Sequence, residues 1–298
     1  MKILNTPDDR FSNLPGYPFP PNYIEIEPGL NMHYVDEGPP EGEVVLLLHG
    51  QPSWSFLYRN MIPPFVEKGY RTIAPDLIGF GKSSKPTEQS NYTYARHIDW
   101  METFLQKLDL KDINLFIQDW GGLIGLRMAA ADPSRFRTIT AGNTALPTGD
   151  HQMPEAFIQW VAFVKSVPYL PCGKILQAST VSTLSPEVMA AYDAPFPDAT
   201  FQAGAMIFPS LVPATPDDAE TANNRYAWQQ LMKWDKPFLT LFSDSDPIMK
   251  GGEKVFQKLI PGAQHDSHVI INGAGHFLQE DKGEEIARYM IAFITRKP

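Results

Sequence analysis

Four short segments of the sequence place reactive side chains directly after apolar runs. They are His49-Gly50-Gln51-Pro52, Asp119-Trp120-Gly121-Gly122, Asp244-Ser245-Asp246-Pro247 and Gly275-His276-Phe277. Functional sites in open α/β sheets lie beyond the carboxyl ends of the strands. A lone Asp or His at such a junction is usually a helix cap or a structural residue. Four such segments, in the chain order nucleophile, acid and histidine, instead predict a catalytic triad.

The predicted nucleophile is an aspartate, Asp119, and this residue type decides the chemistry. A carboxylate attacks a tetrahedral carbon without first losing a proton, and the attack forms an ester. Water activated by a histidine, here His276, then hydrolyses that ester at its carboxyl carbon. Gly121 and Gly122 leave room for a tight turn that exposes Asp119 above a sheet. Ile117 stands where the serine-hydrolase signature has glycine, so the pattern excludes a plain serine esterase.

The elements that must position these residues are short apolar runs that alternate with amphipathic stretches. A hairpin is predicted around Pro28-Gly29, from Tyr23–Ile26 and Met32–Asp36. Six buried strands are predicted at Val44–Leu48, Thr72–Ala74, Asn114–Ile117, Thr138–Ala141, Phe238–Phe242 and Val269–Ile271. Helical patterns such as Tyr94–Leu108 and Glu284–Ile294 separate them. This alternation predicts a mostly parallel, doubly wound α/β sheet of about eight strands.

The strand pattern is interrupted between about residues 147 and 224. That segment is rich in prolines and has helix-like pieces with many methionine and aromatic residues, but no buried-strand run. We therefore predict a helical cap domain at 147–224, inserted after the sixth strand. Residues 1–146 and 225–298 together should form the core domain.

The composition limits the classes of function. The 298 residues carry a net charge of −9 and no cluster of Lys and Arg, which argues against nucleic-acid binding. No apolar stretch approaches the ~20 residues of a membrane span, and the amino-terminal segment does not resemble a signal peptide. The single cysteine, Cys172, fits a reducing compartment. We therefore expect a cytoplasmic protein, and we expect it to be a monomer. Because the sequence has no metal-ligand cluster and no phosphate loop, it should need no metal or cofactor.

Several motifs resemble those of one family. The elbow Gln118-Asp119-Trp120-Gly121-Gly122 and the segment His49-Gly50-Gln51-Pro52-Ser53-Trp54 resemble the haloalkane dehalogenases of the α/β-hydrolase superfamily. In the insertion, Ala194-Pro195-Phe196-Pro197-Asp198 with Phe208-Pro209 resembles the Xanthobacter-type branch of that family, in which two tryptophans bind halide. The resemblance runs from about Tyr23 to the C-terminus. It implies an α/β-hydrolase fold and hydrolysis of a haloalkane to a primary alcohol and halide, in keeping with a role in detoxification.

The resemblance implies a catalytic triad of Asp119 as nucleophile, His276 as base and an acid that orients the base. Asn143, at one of the two positions where the family has this acid, cannot ionise. The acid should therefore follow the seventh strand, where Asp246 matches the family position better than Asp244. Asp244 is expected to accept hydrogen bonds from loop backbone instead.

The resemblance also implies the groups that stabilise charge. The backbone N–H groups of Gln51 and Trp120 should form the oxyanion hole for ester hydrolysis. The indole N–H groups of Trp120 and Trp160 should bind the departing halide, since an indole is a donor on an apolar body. Relatives often have Glu or Asn in place of Gln51, so the role of its side chain is left open.

The expected ligands are a small halogenated hydrocarbon, water and a halide ion. The pocket wall that the resemblance implies is apolar throughout. It consists of Leu123, Phe157, Phe208, Pro209, Val212, Ile248 and Met249.

Two alternatives use the same fold. An epoxide hydrolase has the same Asp/His/Asp triad and uses two tyrosines of the cap as general acid, and Tyr169 and Tyr192 are available here. A non-catalytic ligand receptor could retain the pocket, although an aspartate nucleophile with paired tryptophans favours an enzyme.

Overall fold

The computed structural model describes residues 1–264 and 266–296, and within them the main sheet has eight strands. The strands are β1 Asn22–Glu27, β2 Leu30–Glu37, β3 Val44–Leu48, β4 Arg71–Pro75, β5 Ile113–Gln118, β6 Phe136–Gly142, β7 Phe238–Ser243 and β8 Val269–Ile271. Their order across the sheet is β8-β7-β6-β5-β3-β4-β2-β1. β2 pairs antiparallel with β1 and with β4, and the other neighbours are parallel. The predicted α/β-hydrolase sheet is confirmed.

Helices pack around this sheet. They are α1 Ile62–Glu67, α2 Tyr94–Lys107, α3 Trp120–Ala131, α4 Glu155–Ser166, α5 Cys172–Ala178, α6 Pro186–Asp193, α7 Ala203–Leu211, α8 Thr221–Leu231, α9 Glu253–Leu259 and α10 Leu278–Thr295. α3 packs on β3 and β5, while α10 packs on β6, β7 and β8. No helix among the described residues is long and apolar enough to cross a membrane.

The parallel pairing brings the ends of the central strands together. Ile117 of β5 is level with Leu48 of β3 and with Ala141 of β6. All six residues of β5 are buried, as expected of a parallel strand covered on both faces. Asp119 and Asn143, which follow β5 and β6, therefore lie at the same edge of the sheet.

Helices α4 to α7 lie in the insertion after β6. Within it, α5 packs on α6 and α4 packs on α7. The predicted domain limit at residue 224 falls inside α8, which packs on α3. We propose that α8 belongs to the core, so that the cap ends before Thr221.

Two local features differ from the sequence-based prediction. Ile3–Leu4 and Lys85–Pro86 form a separate two-stranded antiparallel sheet. Strands of two residues have no periodicity from which they could be predicted. The C-terminal helix begins at Leu278, ahead of the predicted segment Glu284–Ile294, and the non-helical residue Lys282 kinks it just before that segment.

Candidate active site

The turn between β5 and α3 presents Asp119 in an unusual backbone conformation. Its φ is 50° and its ψ is −126°, a region that residues with a side chain rarely occupy. The turn is tight because neighbouring residues are glycine: a Cβ on Gly121 would lie 2.0 Å from the carbonyl oxygen of Leu48. A Cβ on Gly50 would lie 2.0 Å from Oδ1 of Asp119. These glycines let the carboxylate stand above the sheet edge.

His276 lies between Asp119 and Asp246. Its Nδ1 is 2.7 Å from Oδ2 of Asp246, and its Nε2 is 3.5 Å from Oδ2 of Asp119. The other oxygen of Asp246 accepts a hydrogen bond from the backbone N–H of Ile248 at 2.8 Å. Asp244 instead accepts from the backbone N–H of Gly273 at 3.0 Å. The structure thus places Asp246, and not Asp244, against the imidazole.

The two carboxylates change the protonation of the imidazole. Burial alone would lower the pKa of His276, but the charges and hydrogen bonds of Asp246 and Asp119 raise it from 6.5 to about 10. Burial likewise opposes ionisation of Asp246, yet the positive charge of His276 lowers the pKa of this carboxyl below its usual value. The ionised pair is therefore favoured while Asp119 carries its negative charge.

Two amide side chains hold the loop that carries His276. Asn143 Nδ2 lies within 3.0 Å of the carbonyl oxygens of Gly275 and His276, and its Oδ1 accepts from the backbone N–H of Ser243. Gln118 Nε2 is 3.1 Å from the carbonyl oxygen of His276 and 3.2 Å from its Nε2. Asn143 thus contacts the backbone of the loop and not the ring. Gln118 was recognised only as part of the elbow motif, and its contact with His276 was not predicted, because the two residues are 158 positions apart in the chain.

A cavity of about 360 Å³ opens above Asp119. Every predicted wall residue except Phe208 lines it. Phe208 is fully buried behind Trp120, with the two ring centroids 4.5 Å apart. Successive residues of a helix point about 100° apart, so Pro209 faces the cavity and its predecessor does not.

The cavity wall also includes residues that were not predicted. They lie mostly on α5 and the loop after it, and on the loops after β6 and β7: Ile175, Ala178, Ser179, Thr180, Val181, Thr144, Ala145, Pro147, Ser245 and Pro247. α5 is short and contributes Ile175 and Ala178 to the cavity wall, two apolar residues that could equally be core, so the sequence carries no pattern that distinguishes them from ordinary cap residues.

The donors predicted for charge stabilisation meet at the floor of the cavity. The backbone N–H of Gln51 donates to Oδ1 of Asp119 at 2.7 Å. Trp120 is the first residue of α3, so its backbone N–H has no partner within the helix. Trp120 and Trp160 both line the cavity. The indole N–H of Trp160 donates to Oε1 of Gln51 at 3.2 Å, whereas within the described residues that of Trp120 has no acceptor.

Comparisons with known proteins identify the family. A family model of the alpha/beta hydrolase fold matches residues 43–283. A haloalkane dehalogenase of Psychrobacter cryohalolentis is 53% identical over the full length of both chains. The chain belongs to the haloalkane dehalogenase family. Another haloalkane dehalogenase, from Mycobacterium marinum, is 48% identical over 98% of this chain and 100% of its own.

Solved structures of haloalkane dehalogenases agree with this membership. One from Paraglaciecola agarilytica has a TM-score of 0.92 and 36% identity, covering 98% of each chain. The family resemblance inferred from the elbow and the loop after β3 is therefore confirmed.

Proposed function

We propose that this member of the haloalkane dehalogenase family hydrolyses haloalkanes through a covalent ester on Asp119. The observation that carries the proposal is the position of the Asp119 carboxylate. It faces an apolar cavity on one side and the His276–Asp246 pair on the other. The products are a primary alcohol and a halide ion.

In the first step, Asp119 displaces the halide. Its Oδ1 is held by the backbone N–H of Gln51, which leaves Oδ2 to attack the carbon that bears the halogen. The new C–O bond forms as the C–halogen bond breaks, and the halide leaves with the bonding electrons. Halide needs no proton but does need donors in a site with little competing water. We assign this role to the indoles of Trp120 and Trp160, as in the two-tryptophan branch.

In the second step, water hydrolyses the ester. Alkylation neutralises Asp119 and so removes one of the two charges that raise the pKa of His276. The imidazole can then release its proton to solvent, the proton that overall hydrolysis produces, and accept one from the water that attacks the carboxyl carbon. The backbone N–H groups of Gln51 and Trp120 stabilise the resulting oxyanion. Its collapse frees the alcohol, which takes the proton from His276, and leaves the second proton of the water on Asp119. Asp119 passes that proton to His276 and is restored as a carboxylate.

The positions of the cap tyrosines favour this function over epoxide hydrolysis. Tyr169 donates to the carbonyl oxygen of Phe196, and Tyr192 donates to Glu280. No tyrosine among the described residues lines the cavity. An epoxide would therefore find no phenol to protonate its alkoxide.

A panel assay tests the proposal. The protein should release bromide from 1-bromobutane without added metal or cofactor, and Asp119→Asn should abolish this release. Styrene oxide is assayed in parallel as a substrate for the alternative activity, epoxide hydrolysis. Turnover of styrene oxide without halide release from any haloalkane would refute the proposal and favour the rival activity.

We also propose that the protein is a cytoplasmic monomer. The Paraglaciecola relative has a tetrameric structure, so the oligomeric state is a property that size-exclusion chromatography with light scattering must test for this chain. A mass near 33.4 kDa is expected for the monomer, and a multiple of that mass would contradict it.

A further inference from the structure

The side chain of Gln51 joins the sheet edge to two helices of the insertion. Its Nε2 donates to the carbonyl oxygen of Ala205 in α7 at 2.5 Å, and its Oε1 accepts from Nε1 of Trp160 in α4 at 3.2 Å. Gln51 is only 5% exposed, and its bond to Ala205 is buried, while its bond to the half-buried Trp160 is partly buried. The side chain thus links α4 and α7 directly above the nucleophile.

The two partners leave one orientation for this amide. Ala205 lies four residues before Pro209, which is inside α7 and has no N–H to donate to the carbonyl of Ala205. That carbonyl can only accept, and the indole N–H of Trp160 can only donate. Both are satisfied only when Nε2 of Gln51 faces Ala205 and Oε1 faces Trp160.

This orientation matters for the halide site of the proposed function. Trp160 has a single side-chain N–H, and in the structure that N–H donates to Oε1 of Gln51. The indole N–H of Trp120 has no such acceptor within the described part of the chain. A halide held by both indoles must therefore displace Gln51 from Trp160, whereas it meets no such competitor on Trp120.

We propose that the Gln51 side chain is an internal competitor for the Trp160 donor, and that it sets the halide affinity and the rate of halide release. This inference rests on the proposed function. A bond to a neutral carbonyl is weaker than a bond to an anion, so halide can displace the amide oxygen. As halide leaves, the amide oxygen returns, so the indole N–H of the half-buried Trp160 is not left unpaired.

The main test removes the competitor and keeps the bulk of the side chain. Gln51→Met should tighten bromide binding by about 3- to 10-fold, the effect expected of one neutral hydrogen bond. Bromide affinity is measured by saturable quenching of tryptophan fluorescence and by inhibition of chloroalkane turnover. In a Trp160→Phe background the same substitution should leave bromide affinity unchanged, because no donor remains to compete for.

Gln202→Met is the matched control. Gln202 is a fully buried cap glutamine that exchanges hydrogen bonds with the backbone of Leu170, and it does not line the cavity. This variant should lose stability as Gln51→Met does but bind bromide like the wild type. An equal tightening in Gln202→Met would show that the effect comes from a loosened cap and would overturn the inference.

The outcomes separate this inference from the proposed function. A wild-type protein that neither binds bromide saturably nor dehalogenates would overturn both. If the wild type does bind bromide, unchanged affinity in Gln51→Met overturns the competitor role alone. Weaker binding in that variant would also overturn it, because the amide would then act as a donor to halide.

A crystal of the wild type soaked in bromide tests the same inference without any variant. Anomalous scattering locates the ion, and the distance from Gln51 Oε1 to Trp160 Nε1 should exceed 3.5 Å when bromide lies between the indoles. Bromide bound there with the 3.2 Å hydrogen bond intact would overturn the proposal.

Discussion

Replacing Asp246 by asparagine should separate the two chemical steps. The backbone N–H of Ile248 can only donate, so it will keep the oxygen of the new amide and turn the NH₂ group toward His276. The imidazole must then accept at Nδ1 and carry its proton on Nε2. Nε2 is the atom that has to accept a proton from water, so the variant holds the wrong tautomer.

The magnitude follows from the bond that is lost. The Asp246–His276 contact of 2.7 Å is a charge-assisted hydrogen bond, which contributes about 1.5–3 kcal/mol. That energy corresponds to about 10- to 150-fold in the rate of ester hydrolysis. Because the variant also holds the wrong tautomer of His276, we expect the rate of ester hydrolysis to fall by about 100-fold or more. Attack by Asp119 needs no base, so the first step should slow by less than about 10-fold.

Rapid-quench measurement of bromide release provides the assay. Asp246→Asn should give a burst of about one bromide per active site followed by slow turnover, with the alkyl ester accumulating. Asp244→Asn is the control, because Asp244 bonds the loop backbone and should retain turnover within about threefold. If the burst slows as much as steady-state turnover does, Asp246 does not act mainly on ester hydrolysis, and the reasoning is refuted. Equal losses of turnover in Asp246→Asn and Asp244→Asn would refute it as well.

Three further predictions follow from the same geometry. His276→Ala should retain the first step and trap an alkyl adduct on the Asp119 peptide, which mass spectrometry would detect; an unmodified peptide after halide release would contradict this. Asn143→Asp should lower the free energy of unfolding by about 2–4 kcal/mol, because the buried amide of Asn143 donates to two loop carbonyls. The same substitution should not restore turnover to Asp246→Asn, and recovered turnover would show that the new carboxylate reaches the imidazole. Folding raises the pKa of His276 from 6.5 to about 10, so the charged imidazole stabilises the fold below pH 6.5, and this contribution is lost as the pH rises toward 10. Between pH 6.5 and pH 10 the melting temperature should therefore fall less in His276→Gln than in the wild type, and equal falls would contradict a stabilising charge on His276.

The sheet and the residues that follow its strands could be predicted from the sequence because they depend on local patterns. A buried parallel strand such as β5 is apolar throughout, and Asp119 follows it directly. The choice of Asp246 over Asp244 came from the family resemblance, because Asp246 stands directly before Pro247 and Ile248 and so matches the family position. The position of a side chain directly after a strand is largely determined by where that strand lies in the sheet, which the local sequence predicts.

Contacts between distant segments could not be predicted in this way. The hydrogen bond from Trp160 to Gln51 spans 109 residues, and nothing near either residue indicates it. The position of Phe208 depends on how α7 is rotated about its axis, which is decided by packing and not by the sequence of that helix. The predicted limit of the cap at residue 224 stays a prediction, but the packing of α8 on α3, on which our proposed limit before Thr221 rests, is also a contact between distant segments.

The backbone of Asp119 has a consequence for how this chain tolerates change. Its φ of 50° costs a residue with a side chain about 1–3 kcal/mol, whereas glycine reaches this region freely. Both Asp119→Ala and Asp119→Gly remove the carboxylate, but the glycine variant should unfold at the higher temperature. A laboratory selection for heat resistance alone would therefore enrich chains that have lost the nucleophile, and screens for robust variants need to score turnover alongside thermal tolerance.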